Sequence, residues 1–109
     1  MIKVLVVDDH AVVRRGLVQI LAEAPDMTAA GEASTAREAL QAVERSDFDV
    51  VVLDISLPDI DGLDVLKQLR SLKPELRVLV LSMHPEKQYA LRALKAGAAG
   101  YLTKESAPE

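Results

Sequence analysis

The sequence contains no cysteine, and this absence excludes disulfide bonds, thiolate metal sites and cysteine nucleophiles together. Only three of the 109 residues are aromatic, so Val, Leu, Ile and Ala must build the core. β-Branched residues pack well in strands, and Ala and Leu favour helices. Because 109 residues suffice for one domain with a real core but not for two, we expect one domain that combines a sheet with helices.

The chain also lacks a basic run, since its 13 Lys and Arg are scattered among 17 Asp and Glu, for a formal charge of −4. Without a patch that could neutralise phosphates, the domain by itself is not expected to bind DNA. No charged leader precedes an apolar signal segment, and the longest apolar run is far below the ~20 residues of a membrane helix. These observations predict a cytoplasmic protein.

Short apolar runs alternate with helical patterns, which predicts an α/β fold with a parallel sheet covered on both faces. Three runs are dense in Val and Leu, as in fully buried strands: KVLVVD at residues 3–8, DVVVLD at 49–54 and RVLVLS at 77–82. A buried helix could share this composition, but the short lengths favour strands. Residues 27–33 and 99–103 are weaker candidates, predicted at the edges of the sheet.

Four helices are predicted between the strands. The first two have apolar residues at helical spacing, namely Val13, Leu17, Ile20 and Leu21, then Ala36, Ala39, Leu40 and Val43. Thr35 and Glu38 have the spacing of a capping box at the start of the second helix.

The last two helices are bounded by proline and glycine. The third is predicted over residues 61–72, because the residue before Pro74 is disfavoured in helices. The fourth is predicted to open at Pro85-Glu86 and to end at Gly97 in a left-handed cap.

Right-handed crossovers favour the strand order 2-1-3-4-5, and the carboxyl ends of the first and third strands then flank the predicted site. Four strands bring polar groups to this rim: Asp8 and Asp9 follow the first, Asp54 ends the third, Ser82 ends the fourth and Lys104 follows the fifth. Residues far apart in sequence are therefore expected to form one cluster.

Three carboxylates at one place repel one another unless a proton or a cation lies among them. Ligation by oxygen alone indicates Mg2+, with Asp9, Asp54 and the backbone carbonyl of Ser56 as direct ligands and Asp8 acting through water. With the ion bound, Asp54 can attack phosphorus as a nucleophile. Lys104 can then place its positive charge on a phosphoryl oxygen.

Each of these residues also has a structural interpretation. An acidic residue at a strand end is commonly a turn former or a helix cap, although the convergence of the whole set is hard to explain that way. Several other polar residues are interpreted as structural: Asp59 and Asp61 as turn and cap residues, His10 and His84 as loop residues without a metal role, and Arg14, Arg15 and Arg92 as solvated helix faces.

From its first strand to its end, the chain resembles the response-regulator receiver domains of bacterial two-component systems. The segments that carry the resemblance are VLVVDDH at residues 4–10, DVVVLDISLPDIDG at 49–62, VLVLSMH at 78–84 and KAGAAGYLTKES at 95–106. The His after the acidic pair, the Gly97-to-Gly100 segment and the KES ending resemble the NarL/FixJ type.

The resemblance implies a flavodoxin-like, CheY-like doubly wound sheet and a role in phosphorelay signal transduction. Asp54 would accept a phosphoryl group from a histidine kinase in a Mg2+-dependent reaction, and the domain would catalyse only this transfer and its own slow dephosphorylation. The output would be transcription regulation. The implied roles are the acidic pocket for Asp8 and Asp9, the switch hydroxyl for Ser82, the switch aromatic for Tyr101 and the essential amine for Lys104.

The implied switch has a physical basis. A phosphoryl group on Asp54 adds acceptor oxygens, Ser82 can move to donate to one, and the loop at residues 83–85 follows. Tyr101 then turns inward, and the face formed by the fourth helix and fifth strand changes. This is a shift in population between two conformational states of the domain.

Two features depart from the family pattern. Many receivers have Lys-Pro with a cis bond after the last strand, but here Lys104 precedes Glu105, and a trans bond is predicted because a non-proline cis bond costs about 2.5–4 kcal/mol. The sequence also stops at residue 109, where the family's fifth helix would begin. We expect residues 1–109 to form a receiver domain truncated before that helix, without an output domain.

The missing helix is expected to leave apolar surface open on the fourth and fifth strands. A homodimer, or other self-association through that face, is then expected. DNA would be bound only through an output domain outside these residues.

Three alternatives are weighed against this interpretation. A phosphatase of the haloacid-dehalogenase type would have a second Asp two positions after its nucleophile, whereas Asp8 and Asp9 are adjacent. A flavodoxin-like FMN protein would need a Ser/Thr/Gly phosphate loop where this chain has two carboxylates. A degenerate receiver that acts as a phosphorylation-independent interaction module is opposed by the intact acidic set and Lys104.

Overall fold

The computed structural model describes residues 1–55, 57–82 and 87–103, and within these ranges it describes residues 87–89, 102 and 103 by their backbone alone. The strands are β1 (Ile2–Val7), β2 (Met27–Ala33), β3 (Val50–Asp54), β4 (Arg77–Ser82) and β5 (Gly100–Thr103). The helices are α1 (Ala11–Glu23), α2 (Ala36–Arg45), α3 (Gly62–Leu72) and α4 (Lys87–Lys95).

The strands form one parallel sheet in the order β2-β1-β3-β4-β5, which confirms the predicted topology and the edge positions of β2 and β5. The predicted strand bounds are confirmed to within one residue. In the register, Val7 lies opposite Leu53, and Asp54 lies opposite Leu81. The carboxyl ends of β1, β3 and β4 therefore lie side by side.

Both faces of the sheet are apolar. On one face, Leu5, Val51 and Val80 pack with Val65 and Leu69 of α3, and all five side chains are fully buried. This larger cluster also includes side chains of α2 and α4. Most of the buried core therefore lies between the sheet and these three helices.

The other face is covered by α1, which has no fully buried residue. Its half-buried side chains pack over a smaller cluster formed by Val4, Val6, Val52 and Leu81. We expected apolar surface on the fourth and fifth strands to be open to solvent. This is wrong for Leu81 of β4, which is only 3% exposed, and Leu79 of the same strand is half-buried. Packing at the end of β4 therefore covers more of the strand than we expected.

The helix ends follow the predicted local chemistry. The Thr35 side chain accepts from the Glu38 amide at 3.1 Å, which confirms the capping box, although the Glu38 carboxylate accepts from Ser34. Hydrogen bonds from the backbone and then the hydroxyl of Ser34 hold the pKa of Glu38 below its ordinary value. Gly97 has φ 105°, which confirms the left-handed conformation after α4. The predicted start of α4 at Pro85-Glu86 lies outside the described residues.

Candidate functional site

Carboxylates from β1 and β3 meet at the carboxyl edge of the sheet. Asp8, Asp9, His10 and Asp54 each place one potential ligand atom within 4.8 Å of the others. Asp8 and Asp54 are 0% exposed, whereas Asp9 opens to solvent. The structure therefore brings together the three acidic residues that the strand order predicts, at a site that is accessible from one side.

The turn after β1 is held by its own hydrogen bonds. The Asp8 amide donates to the Ala33 carbonyl at 3.0 Å and continues the contact with β2. The His10 amide donates to Oδ1 of Asp8 at 2.8 Å. The Asp8 side chain is thereby fixed at the base of the turn, and the exposed Asp9 lies above it.

His10 is part of the cluster, although a loop position without a metal role is predicted for it from the sequence. Its Nδ1 lies 3.2 Å from Oδ1 of Asp8 and 3.0 Å from Oδ1 of Asp9, and its side chain is 61% exposed. Its position directly after the acidic pair was a signal that the ring could fold back. The imidazole therefore lies within contact distance of both carboxylates.

Arg14 was interpreted as part of a solvated helix face, and this interpretation is wrong. Its Nη1 donates to the Asp8 carbonyl at 2.7 Å, and its Nε lies 3.4 Å from Oε1 of Glu32 on β2. The arginine side chain is only 20% exposed. Its position in the first turn of α1 allows a long side chain to reach back to the end of β1. The exposed positions predicted for Arg15 and Arg92 are confirmed.

The backbone at Ile55, directly after Asp54, lies in close contact with the start of α3. The Ile55 amide donates to the Leu81 carbonyl at 3.1 Å and continues the ladder between β3 and β4. A Cβ added to Gly62 would lie 2.6 Å from the Ile55 Cα. Only glycine allows the two backbones to approach so closely.

Asp59 and Asp61 are both helix caps, as predicted, but they cap different helices. Asp61 is the N-cap of α3, and its side chain accepts from the Leu63 amide at 3.4 Å. Asp59 instead accepts from the amides of Ala36 and Arg37 at 3.0 and 3.1 Å, so it caps α2. Desolvation raises the pKa of Asp59, but hydrogen bonds from the backbone of Ala36, Arg37, Asp59 and Ile60 together outweigh it and hold the pKa below its ordinary value.

The remaining predicted site residues are only partly described. Ser82 is 4% exposed at the end of β4, in the residue after the partner of Asp54. Tyr101 is half-buried against the larger core cluster. Ser56, Lys104, His84, the loop at residues 83–85 and the Lys104–Glu105 peptide bond lie outside the described residues.

The donor set fits a hard divalent cation. Three carboxylates supply the anionic oxygens that Mg2+ prefers, and a cation among them would offset their mutual repulsion. Buried charges in proteins are usually paired or coordinate metals, and two of these carboxylates are fully buried. Receiver domains generally bind Mg2+ at such a cluster of aspartates.

Comparison with known proteins agrees with the motifs and with this geometry. A family model described as "Response regulator receiver domain" matches residues 4–109. The "DNA-binding transcriptional activator DevR/DosR" of Mycobacterium tuberculosis is 44% identical over 105 residues, which cover 96% of this chain and 48% of that protein. The chain thus spans about half the length of the curated relatives it matches.

Solved structures agree in fold. The signal receiver domain of the putative response regulator NarL from Mycobacterium tuberculosis has a TM-score of 0.90 at 37% identity, with 97% of this chain and 86% of that chain covered. The beryllofluoride-activated NtrC4 receiver domain dimer has a TM-score of 0.87 at 35% identity, with coverage of 95% and 84%. Among the described residues, no helix combines the length and the apolar composition needed to cross a bilayer.

Proposed function

The chain belongs to the response-regulator receiver family, and on that premise we propose that Asp54 is the residue that accepts the phosphoryl group. The observation that carries this proposal is the position of Asp54, which ends β3 fully buried within a cluster of carboxylates. A receiver domain of a two-component response regulator transmits a signal through phosphorylation of an aspartate. β3 lies between β1, which precedes Asp8 and Asp9, and β4, which ends at Ser82. Asp54 is therefore the carboxylate placed between the proposed metal ligands and the proposed switch hydroxyl.

Asp9, Asp54 and the backbone carbonyl of Ser56 would hold Mg2+ directly, and Asp8 would act through water. The ion supplies neutralisation of charge on the phosphoryl group, which lets a carboxylate approach phosphorus. An Asp54 oxygen forms the new P–O bond as the P–N bond to the kinase histidine breaks, and that histidine nitrogen keeps the bonding pair. The domain later releases inorganic phosphate when water attacks the same phosphorus. These two steps are the only reactions that we assign to it.

The switch residues lie on the neighbouring strands. Ser82 is the hydroxyl proposed to donate to a phosphoryl oxygen, and its place on β4 beside the end of β3 supports that role. Lys104 is the proposed amine, and Tyr101 is the aromatic proposed to turn inward when Ser82 moves. Because Tyr101 is already half-buried against the core, a small change in β4 can alter the space available to its ring.

Receiver domains pair with histidine kinases, and some dimerise, as the NtrC4 receiver does. For this chain we propose a cytoplasmic location, a cognate histidine kinase and a homodimer. DNA contact and transcription regulation would come through a separate output domain, as the DNA-binding relative DevR/DosR suggests.

Incubation with Mg2+ and acetyl phosphate, followed by intact mass measurement, tests the acceptor. We expect the mass of one phosphoryl group to be added, and we expect Asp54→Ala or a chelator to prevent the gain. Asp64→Ala is the matched control, because Asp64 is an exposed aspartate in the first turn of α3. Equal uptake by Asp54→Ala would show that the acceptor is misassigned, and no uptake by the wild type would favour a phosphorylation-independent module.

A further inference from the structure

Arg14 connects three strand and helix ends next to the acidic cluster. It lies in the first turn of α1, donates to the Asp8 carbonyl at 2.7 Å and forms an ion pair with Glu32 on β2 at 3.4 Å. We propose that Arg14 is a positioning residue of the phosphoryl-transfer site, which acts by holding the turn that carries Asp8 and Asp9. This inference rests on the proposed function, because the turn matters only if these carboxylates bind Mg2+.

The backbone pairing of β1 continues into the turn on one side only. The pairing of β1 with β3 ends at Val7, opposite Leu53, so Asp8 is the first residue beyond that ladder. On the other side, the Asp8 amide still bonds to Ala33 on β2. The contact from Arg14 fixes the carbonyl of the same residue, which belongs to the Asp8–Asp9 peptide. The two bonds therefore hold the peptide units on both sides of the Asp8 Cα.

A guanidinium is well suited to this task. Its planar fork can donate in two directions at once from one rigid group, which an ammonium cannot do with the same geometry. In Arg14 the Nη1 arm reaches Asp8 and the Nε arm reaches Glu32. The arginine is therefore anchored to β2 while it holds the end of β1, and its low exposure of 20% limits competition from water.

Two possible effects of Arg14 on metal binding have opposite signs. Its positive charge repels a cation, so removal of the charge alone should tighten the binding of Mg2+. Its hydrogen bond orients the residues that ligate the ion, so removal of the bond should weaken binding. The direction of the change in affinity thus distinguishes a positioning role from a purely electrostatic one.

Arg14→Gln and Arg15→Gln form a matched pair for this test. Both substitutions remove one positive charge from the first turns of α1, and Arg15 is exposed. Isothermal titration with Mg2+ alone should show affinity about tenfold weaker in Arg14→Gln. We expect Arg15→Gln to bind Mg2+ as tightly as the wild type or slightly more tightly.

Phosphorylation by acetyl phosphate provides a second measurement. In Arg14→Gln, the Mg2+ concentration that gives half the maximal rate should rise, while the rate at saturating Mg2+ should stay near that of the wild type. A merely structural role would lower the folded fraction without moving the Mg2+ requirement of the molecules that remain folded. Hydrogen exchange of the His10 amide, which donates to Asp8, should also accelerate in Arg14→Gln and not in Arg15→Gln.

The outcomes separate this inference from the proposed function. If the wild type binds Mg2+ and Arg14→Gln binds it equally or more tightly, the positioning role is wrong while Asp54 can still be the acceptor. If the wild type neither binds Mg2+ nor takes up phosphate, the proposed function fails first. Should Arg14→Gln not fold, Arg14→Lys keeps the charge but loses the fork, and wild-type Mg2+ affinity in that variant would overturn the inference.

Discussion

Gly62 approaches Ile55 so closely that a Cβ on the glycine would lie 2.6 Å from the Ile55 Cα and 2.8 Å from its carbonyl oxygen. Ile55 directly follows Asp54, and Gly62 is the first residue of α3. The start of α3 thus determines the path of the backbone beside the proposed phosphoryl acceptor. A change at Gly62 is therefore expected to affect the site as well as the stability of the fold.

Gly62→Ala should destabilise the domain by about 1–3 kcal/mol, because the clash is with backbone that cannot rotate away. Gly16→Ala is the control, since a Cβ at Gly16 in α1 meets nothing within 4 Å. That substitution should stabilise the domain by about 0.5–1 kcal/mol through the better helix propensity of alanine. Urea unfolding monitored by circular dichroism measures both changes, and equal stability of the two variants would contradict the close approach.

Asp59→Asn should destabilise α2 and the loop after Asp54 together, because the carboxylate accepts from two amides at the start of α2. The expected loss is about 1 kcal/mol, because an asparagine side chain has one acceptor oxygen and can keep only one of the two hydrogen bonds. Asp26→Asn, in an exposed turn, is the control and should leave the free energy of unfolding nearly unchanged.

The pH dependence of Asp59 gives a further test. The pKa of Asp59 in the folded state lies below its ordinary value of 3.8. Its contribution to folding stability is therefore complete above pH 3.8 and is lost as the pH falls through the folded pKa. The stability difference between the wild type and Asp59→Asn should therefore shrink on acidification below 3.8. Unfolding curves at several pH values measure it, and a difference that grows toward low pH would contradict the capping geometry.

Mg2+ should raise the melting temperature of the wild type in a concentration-dependent way, because the ion binds only the folded acidic cluster. Asp54→Asn should lose most of this response. It should melt no lower than the wild type without metal, since a charge has left a cluster of three carboxylates. Differential scanning calorimetry with Mg2+ or a chelator distinguishes these results, and an undiminished Mg2+ response in Asp54→Asn would remove Asp54 from the ligand set.

Beryllofluoride with Mg2+ should increase the dimeric fraction of the chain, because activation is proposed to change the face formed by α4 and β5. Sedimentation velocity at several protein concentrations measures the fraction. Asp54→Asn should remain at the unactivated level, and a monomer under all conditions would contradict dimerisation through this domain.

The sheet could be predicted from the sequence because strands buried on both faces are continuous runs of Val and Leu. The strand order then placed Asp8, Asp9 and Asp54 at one rim, which the structure confirms. Helix caps such as Thr35 were predictable because they depend only on which residues stand within a few positions of one another in the sequence.

Long-range polar contacts could not be predicted in the same way. Asp59 was recognised as a cap, but its bonds to α2 span 22 and 23 residues and depend on how two loops pack together. Arg14 was missed because its contact with Asp8 depends on the rotation of α1 about its axis. The approach of Gly62 to Ile55 is a packing distance between backbones, for which a single glycine in the sequence is only a weak signal.

The most direct test of this account is to locate the phosphoryl group after reaction with acetyl phosphate and Mg2+. Borohydride reduction converts an aspartyl phosphate to homoserine, which peptide mass spectrometry can assign to one position. We predict conversion at Asp54 alone, with Asp8, Asp9 and Asp59 unmodified. Conversion at another aspartate, with Asp54 intact, would contradict the central claim.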